Sequence, residues 1–192
     1  MEVKIRQEAG YEWALKGMSY SYLDESVNVD EWWEQQTPKA IKRAGLLCVK
    51  TPEHAKFLRF IDVWVDIKTT RGLWVEFDTY RIGCDMLSGS TMHKLDKRPP
   101  TSDDFSSDTP NRMVKAFLCV WNEFKDNKGL DLSYLKDSLP EGYLQTRMVK
   151  LNYATIRNII SQRKGHRYKY WDMFIEQLLS QLEHPELIED LI

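Results

Sequence analysis

The stretch from Phe60 to Ile67 narrows the choice of folds more than any other part of the chain. Ile61, Val63, Val65 and Ile67 alternate with Asp62, Trp64 and Asp66. A hydrophobic period of two marks a strand with one buried face. A helical pattern follows over 70–79 and breaks at Gly83, and the chain then runs on to His93. A strand thus feeds a helix, which delivers Tyr80, Arg81, Ser88, Ser90 and His93 into a loop. Loops held by rigid elements are where binding groups tend to sit.

The flanking patterns complete the outline. Glu2 to Arg6 reads as a short strand, and Tyr11, Ala14, Leu15, Met18 and Tyr22 recur at helical spacing. Asn28 to Asp30 can cap a helix over 31–36; a separate helix after Pro38 carries Ala40, Ile41 and Ala44 and stops near Gly45. Thr51-Pro52-Glu53 reads as a cap opening a short helix that contains His54. The Pro-, Ser- and Asp-rich stretch 98–110 reads as a surface loop. A helix over 111–127 places Met113, Ala116, Phe117, Val120 and Phe124 on one face. A turn at 139–142, a strand over 144–151 and a helix over 153–162, with Ile156, Ile159 and Ile160 inward, come next. Trp171, Phe174, Ile175, Leu178, Leu179 and Leu182 stripe a last helix that ends at His184-Pro185. Helices separated by a few strands predict an α+β fold, a small antiparallel sheet packed with several helices in one domain over 1–192.

Charge and cysteine usage set limits on function. The formal net charge is -2, so there is no global basic field and no strong nucleic-acid signal. Cys48, Cys84 and Cys119 are scattered and odd in number, which favours a reducing compartment over a disulfide framework and offers no zinc spacing. No apolar run is long enough to span a bilayer. A cytoplasmic protein is the simplest expectation. Seven Trp and nine Tyr supply core bulk and faces for an aromatic ligand.

Among polar residues, Arg163 is the most informative. It lies seven, four and three positions after Ile156, Ile159 and Ile160 and so extends their apolar face. A guanidinium there needs a carboxylate, a carbonyl or a bound anion; alternatively it snorkels at a helix C-terminus, where the dipole favours a cation. Lys164, His166, Arg167 and Lys169 follow with Tyr168 and Tyr170. They form either a phosphate grip or a solvated turn. Ser88-Gly89-Ser90-Thr91 has the makings of an anion nest, or is an ordinary serine-rich turn. His93 has the chemistry of a base but no assignable partner. No Ser-His-Asp set, zinc-protease helix or phosphate-binding Gly-Lys loop is present.

With these residues in view, the chain resembles the flavin-dependent thymidylate synthases from His54 to Arg163. That family has an early histidine, then a strand, then a helix ending in QxxRHRxxSxNExSxRY. Here His54 stands at the histidine, and the signature segment runs from Glu76 through Thr79-Tyr80-Arg81 to Ser88-Gly89-Ser90. The family's later basic residue, Leu-Pro, Asn and Arg correspond to Lys136, Leu139-Pro140, Asn152 and Arg163. The departures are specific: Glu76 replaces the Gln, only Arg81 survives of the RHR triplet, the NE pair is missing, and Ser90 replaces an arginine.

The resemblance implies a homotetramer that uses FAD and methylenetetrahydrofolate to methylate dUMP or a similar pyrimidine nucleotide. It implies that Arg163 stabilises charge on the pyrimidine. Lys136, Ser88, Ser90 and Arg167 would hold the substrate, and His54, Tyr80, Arg81 and Asn152 would touch the flavin; no metal is implied. A descendant of the same family that binds or sequesters a nucleotide without turnover is the alternative. A structural or partner-binding domain, with Arg163 as a paired core arginine, is a third.

Overall fold

In the computed structural model, which describes residues 1–192, the chain runs through β1 (Glu2–Ala9), α1 (Tyr11–Ser19), α2 (Val29–Cys48), β2 (Asp62–Thr70), α3 (Arg71–Phe77) and β3 (Cys84–Ser88). It continues through α4 (Asn111–Asp126), α5 (Leu132–Asp137), β4 (Leu144–Asn152), α6 (Tyr153–Arg163) and α7 (Tyr170–Leu179). The four strands form one antiparallel sheet in the order β1-β2-β4-β3, so the expected α+β class holds. The alternating stretch is β2, with Val63, Val65, Ile67 and Thr69 all buried and Asp62, Trp64, Asp66 and Lys68 half-buried. Thr70 closes the strand and caps α3, its hydroxyl accepting from the Leu73 N–H at 3.2 Å.

The chain divides into two compact units. One comprises 3–65, 80–85 and 149–192. Its buried residues include Leu15, Ala44, Ile61, Ile156, Trp171 and Phe174, and full burial of each large apolar side chain contributes about 1.5–3 kcal/mol. Two expectations change here. Pro38 does not separate two helices but sits inside a continuous α2, capped by Asn28. Proline removes the N–H that would bond four residues back, and the Thr37 hydroxyl donates to the Trp33 carbonyl one turn earlier. Thr51-Pro52-Glu53 opens a hydrogen-bonded turn rather than a helix, followed by a 3-10 turn at Lys56–Phe60, and His54 is exposed.

The other unit comprises 1–2, 66–79 and 86–148. Its core gathers Leu95, Phe105, Phe117, Leu135 and Leu139. On α4 the inward stripe is Val114, Phe117, Val120, Trp121 and Phe124; Met113 and Ala116, expected inside, are exposed. The 98–110 segment is tied down at both ends of its 3-10 turn: Arg98 grips Asp104, and Thr101 and Asp104 form a capping box. β3 was not expected, because only Cys84 and Met86 of its five residues turn away from solvent, too few to display a period. α5 was not expected either; Leu135 alone of its six residues is buried.

Candidate functional site

The site grows from α6. Ile156, Ile159 and Ile160 bury one face of the helix, which fixes its rotation. Asn152 caps it, with Oδ1 accepting from the Thr155 N–H at 2.9 Å. Eleven residues later the same helix ends in Arg163, half-buried as the extended stripe required. The Nε–H of Arg163 donates to the Tyr80 hydroxyl at 2.9 Å, and Nη1 lies 3.3 Å from Nε2 of His166. The guanidinium carbon stands 4.8 Å from the centre of the Trp171 ring and 5.7 Å from that of Tyr80. Both rings offer their negative faces to the cation. Tyr80 in turn donates to Gln162 Oε1 at 3.0 Å and meets Trp171 edge-on at 5.8 Å. Two rings and a bonded hydroxyl therefore aim one planar, permanently charged fork, suited to a carboxylate, a phosphate or a developing oxyanion.

A cavity of about 810 Å³ opens beside the N-terminal end of α6. Asn152, Asn158, Gly83, Lys50 and Arg59 line it with amides, bare backbone and cations. Gly83 has φ +68°, and a Cβ there would stand 2.4 Å from Asn152 Nδ2 and 2.6 Å from Thr155 Oγ1. Glycine is therefore required both for the turn and for the close approach. The Thr155 hydroxyl donates to the Ile82 carbonyl at 2.9 Å and ties that turn to the helix. Arg157 also reaches the lining, but Asp190 holds it in a two-point contact at 2.6 and 2.7 Å. Burial pushes the Cys48 thiol up, so this wall carries no reactive thiolate.

The other candidates fall in several places. Tyr80 meets Arg163 directly, as a buried ring, while Arg81 and Arg167 are exposed. His54 lines a different cavity, about 580 Å³, with Trp13, Tyr20, Arg43, Phe57 and Phe60. Ser88, Ser90 and Lys136 belong to the second unit. Ser88 is exposed at the end of β3, Ser90 is half-buried, and Lys136 is exposed on α5. His93 is exposed there as well. The sequence pattern offered Trp171 only as part of a core stripe and gave no hint that it underlies Arg163, nor that Arg59 and Asn158 share a cavity with Asn152. No group of three or more His, Cys, Asp or Glu residues is arranged to hold a metal ion, and no helix is long and apolar enough to cross a membrane.

Neither a family model nor a curated protein matches the chain. Solved structures do. Thymidylate synthase X (ThyX) from Helicobacter pylori, crystallised with FAD and dUMP, matches 100% of this chain over 99% of its own length, with TM-score 0.76 and 15% identity. A second structure of the H. pylori flavin-dependent enzyme with the same ligands covers 100% of both chains at TM-score 0.75 and 16% identity. This chain has the ThyX fold. PolB from Streptomyces cacaoi, a UMP/dUMP methylase bound with 5-Br dUMP, is also similar, with TM-score 0.73, 11% identity, and 98% of this chain matched over 93% of that one. The likeness is one of fold, carried at 11–16% identity over nearly the whole of each chain.

Proposed function

We propose that this chain binds a pyrimidine nucleotide of the dUMP type and methylates or otherwise reductively modifies it, using FAD and, as one-carbon donor, methylenetetrahydrofolate. The observation that carries this is the bracketed guanidinium of Arg163, on a fold whose solved neighbours hold dUMP and FAD. The 810 Å³ cavity fits a flavin in size and in donors: Asn152 and Asn158 would face ring heteroatoms, and Lys50 and Arg59 would face a diphosphate. When bound, reduced FAD would supply the reducing equivalents for the methyl transfer. Arg163 would stabilise negative charge on a pyrimidine carbonyl, and Tyr80 and Trp171 would hold its fork in place. Lys136, Ser88, Ser90 and Arg167 would complete the nucleotide site, and His54 and Arg81 the flavin site, in a homotetramer with sites shared between copies. The test is spectroscopic. Purified protein should show flavin absorbance or take up FAD in titration, and should bind dUMP with a loss of at least about tenfold in Arg163→Ala. A colourless protein indifferent to FAD would count against the catalytic proposal.

One observation favours a second proposal, a nucleotide binder without turnover. Tyr80 takes the middle position of the signature triplet and turns inward as a packed ring, 6% exposed, so it brings no charge to a ligand. This version predicts dUMP binding by calorimetry without flavin uptake. Rescue of a thymidine-requiring strain would eliminate it.

A further inference from the structure

A cavity of about 420 Å³ lies wholly within the second unit, under the segment that joins β3 to the 98–110 stretch. Gly89 and Thr91 line it, whereas Ser88 and Ser90, the residues assigned above to the nucleotide, do not. Its chemistry is divided. Leu95, Phe117, Tyr143 and Leu144 give its lining apolar surface, while Lys94, Lys97 and Thr91 give it two cations and a hydroxyl.

The placement of the two lysines follows from Leu95 between them. Leu95 is buried in the core of the unit, and its carbonyl accepts from Trp121 Nε1 at 2.9 Å. The Lys94 and Leu95 N–H groups both donate to the Thr91 carbonyl, at 3.2 and 3.1 Å, and the Lys97 N–H donates to the Lys94 carbonyl at 3.2 Å. The turn is therefore locked, and the lysine stems leave a fixed backbone. The Lys94 ammonium stands 3.6 Å from where a Cβ on Gly89 would lie, close against the bend. The other charges facing the cavity cancel each other. Arg98 grips Asp104 through two contacts at 2.6 and 2.5 Å, and Asp104 also accepts from the Thr101 N–H at 2.8 Å. Neither lysine has a carboxylate partner, so two cations are the net charge of the lining.

We infer that this cavity binds a small phosphomonoester with a flat apolar body, the phosphate between Lys94 and Lys97 and the body against Phe117 and Tyr143. A dianion matches two ammonium groups, and a monoester leaves its single substituent free to meet the apolar lining residues. The volume lies within the range of small-molecule sites. The inference does not depend on the Arg163 site, because every residue in it belongs to the other unit.

Calorimetry on the full chain tests it, with phenyl phosphate as probe and inorganic phosphate and benzyl alcohol as comparators. Phenyl phosphate should bind more tightly than either comparator, and more weakly as salt rises. The double variant Lys94→Gln/Lys97→Gln should lose about tenfold or more in affinity, while Lys94→Arg/Lys97→Arg retains binding. Both lysines are exposed, so these variants should fold as the parent does. Arg163→Ala should leave phenyl phosphate binding unchanged, which separates this site from the nucleotide site. No binding by the parent chain, full binding by the Gln double variant, or loss in Arg163→Ala would each overturn the inference.

Discussion

Arg163 and Tyr80, 83 positions apart in the chain, meet at 2.9 Å, and the tyrosine hydroxyl in turn donates a hydrogen bond to Gln162 Oε1. The hydroxyl is thus fully oriented, accepting from a cation and donating to an amide. Tyr80→Phe keeps the ring contact with Trp171 but removes that relay. Stability should fall by about 1 kcal/mol, the usual worth of such a bond, as read from urea denaturation. If Arg163 holds the nucleotide, dUMP affinity should fall with it. Unchanged stability and unchanged affinity together would mean that the hydroxyl orients nothing.

The turn at Gly83 gives a sharper expectation. Gly83→Ala must accept both a left-handed backbone and a Cβ driven against Asn152 and Thr155. The backbone alone costs about 1–2 kcal/mol for a residue with a side chain. Displacing Asn152 from its capping bond adds about 1 kcal/mol. Thermal denaturation should show a combined loss of about 2–3 kcal/mol, and any FAD uptake should weaken because Asn152 faces the same cavity. A variant as stable as the parent would show that the turn relaxes freely.

What was legible in the sequence was what neighbouring residues decide among themselves. The alternation of β2, the Asn28 cap and the Ile156-Ile159-Ile160 face each depend on spacings of a few residues, and each is present. β3 and α5 were hidden because each buries only one or two side chains and draws its stability from distant partners. On α4 the apolar residues outnumber those that reach the core, so a reading of the sequence places Met113 and Ala116 inward and passes over Val114 and Trp121. The site was half-legible for the same reason. Arg163 announced itself by breaking an apolar stripe, but its bracket of Tyr80 and Trp171 is made by tertiary packing.

Pro38 shows tertiary context overriding a local rule. It lies well inside α2, exposed, where proline costs about 3 kcal/mol relative to alanine in an isolated helix. Burial of Ala40, Ala44 and Cys48 on the following turns holds the helix together past it. Pro38→Ala restores the missing donor and should stabilise the chain by about 1–2 kcal/mol, less than the full helix cost because the unfolded chain also gains freedom. Chemical denaturation should show a higher midpoint. A lower midpoint would mean that a kink at Pro38 is needed for the packing of α2.

The hold on the C-terminal segment should weaken at acid pH, and the sign follows from one ion pair. Arg157 donates to both oxygens of Asp190 and also to the Leu187 carbonyl at 2.6 Å. The hydrogen bonds from Arg157 hold the Asp190 carboxyl below its ordinary value of 3.8, against the opposing pull of burial. A carboxyl lowered in the folded state adds stability above its unfolded value and loses it as pH falls through the folded value. The contribution is therefore complete at neutral pH and fades below about pH 3.8. Asp190 is 35% exposed, so the contribution is discounted to about 1 kcal/mol. Asp190→Asn should cost that amount at neutral pH and progressively less as pH falls below about 3.8, measured by denaturation at neutral and at acid pH. An equal cost at both values would show that Asp190 contributes by packing, with its charge playing no part.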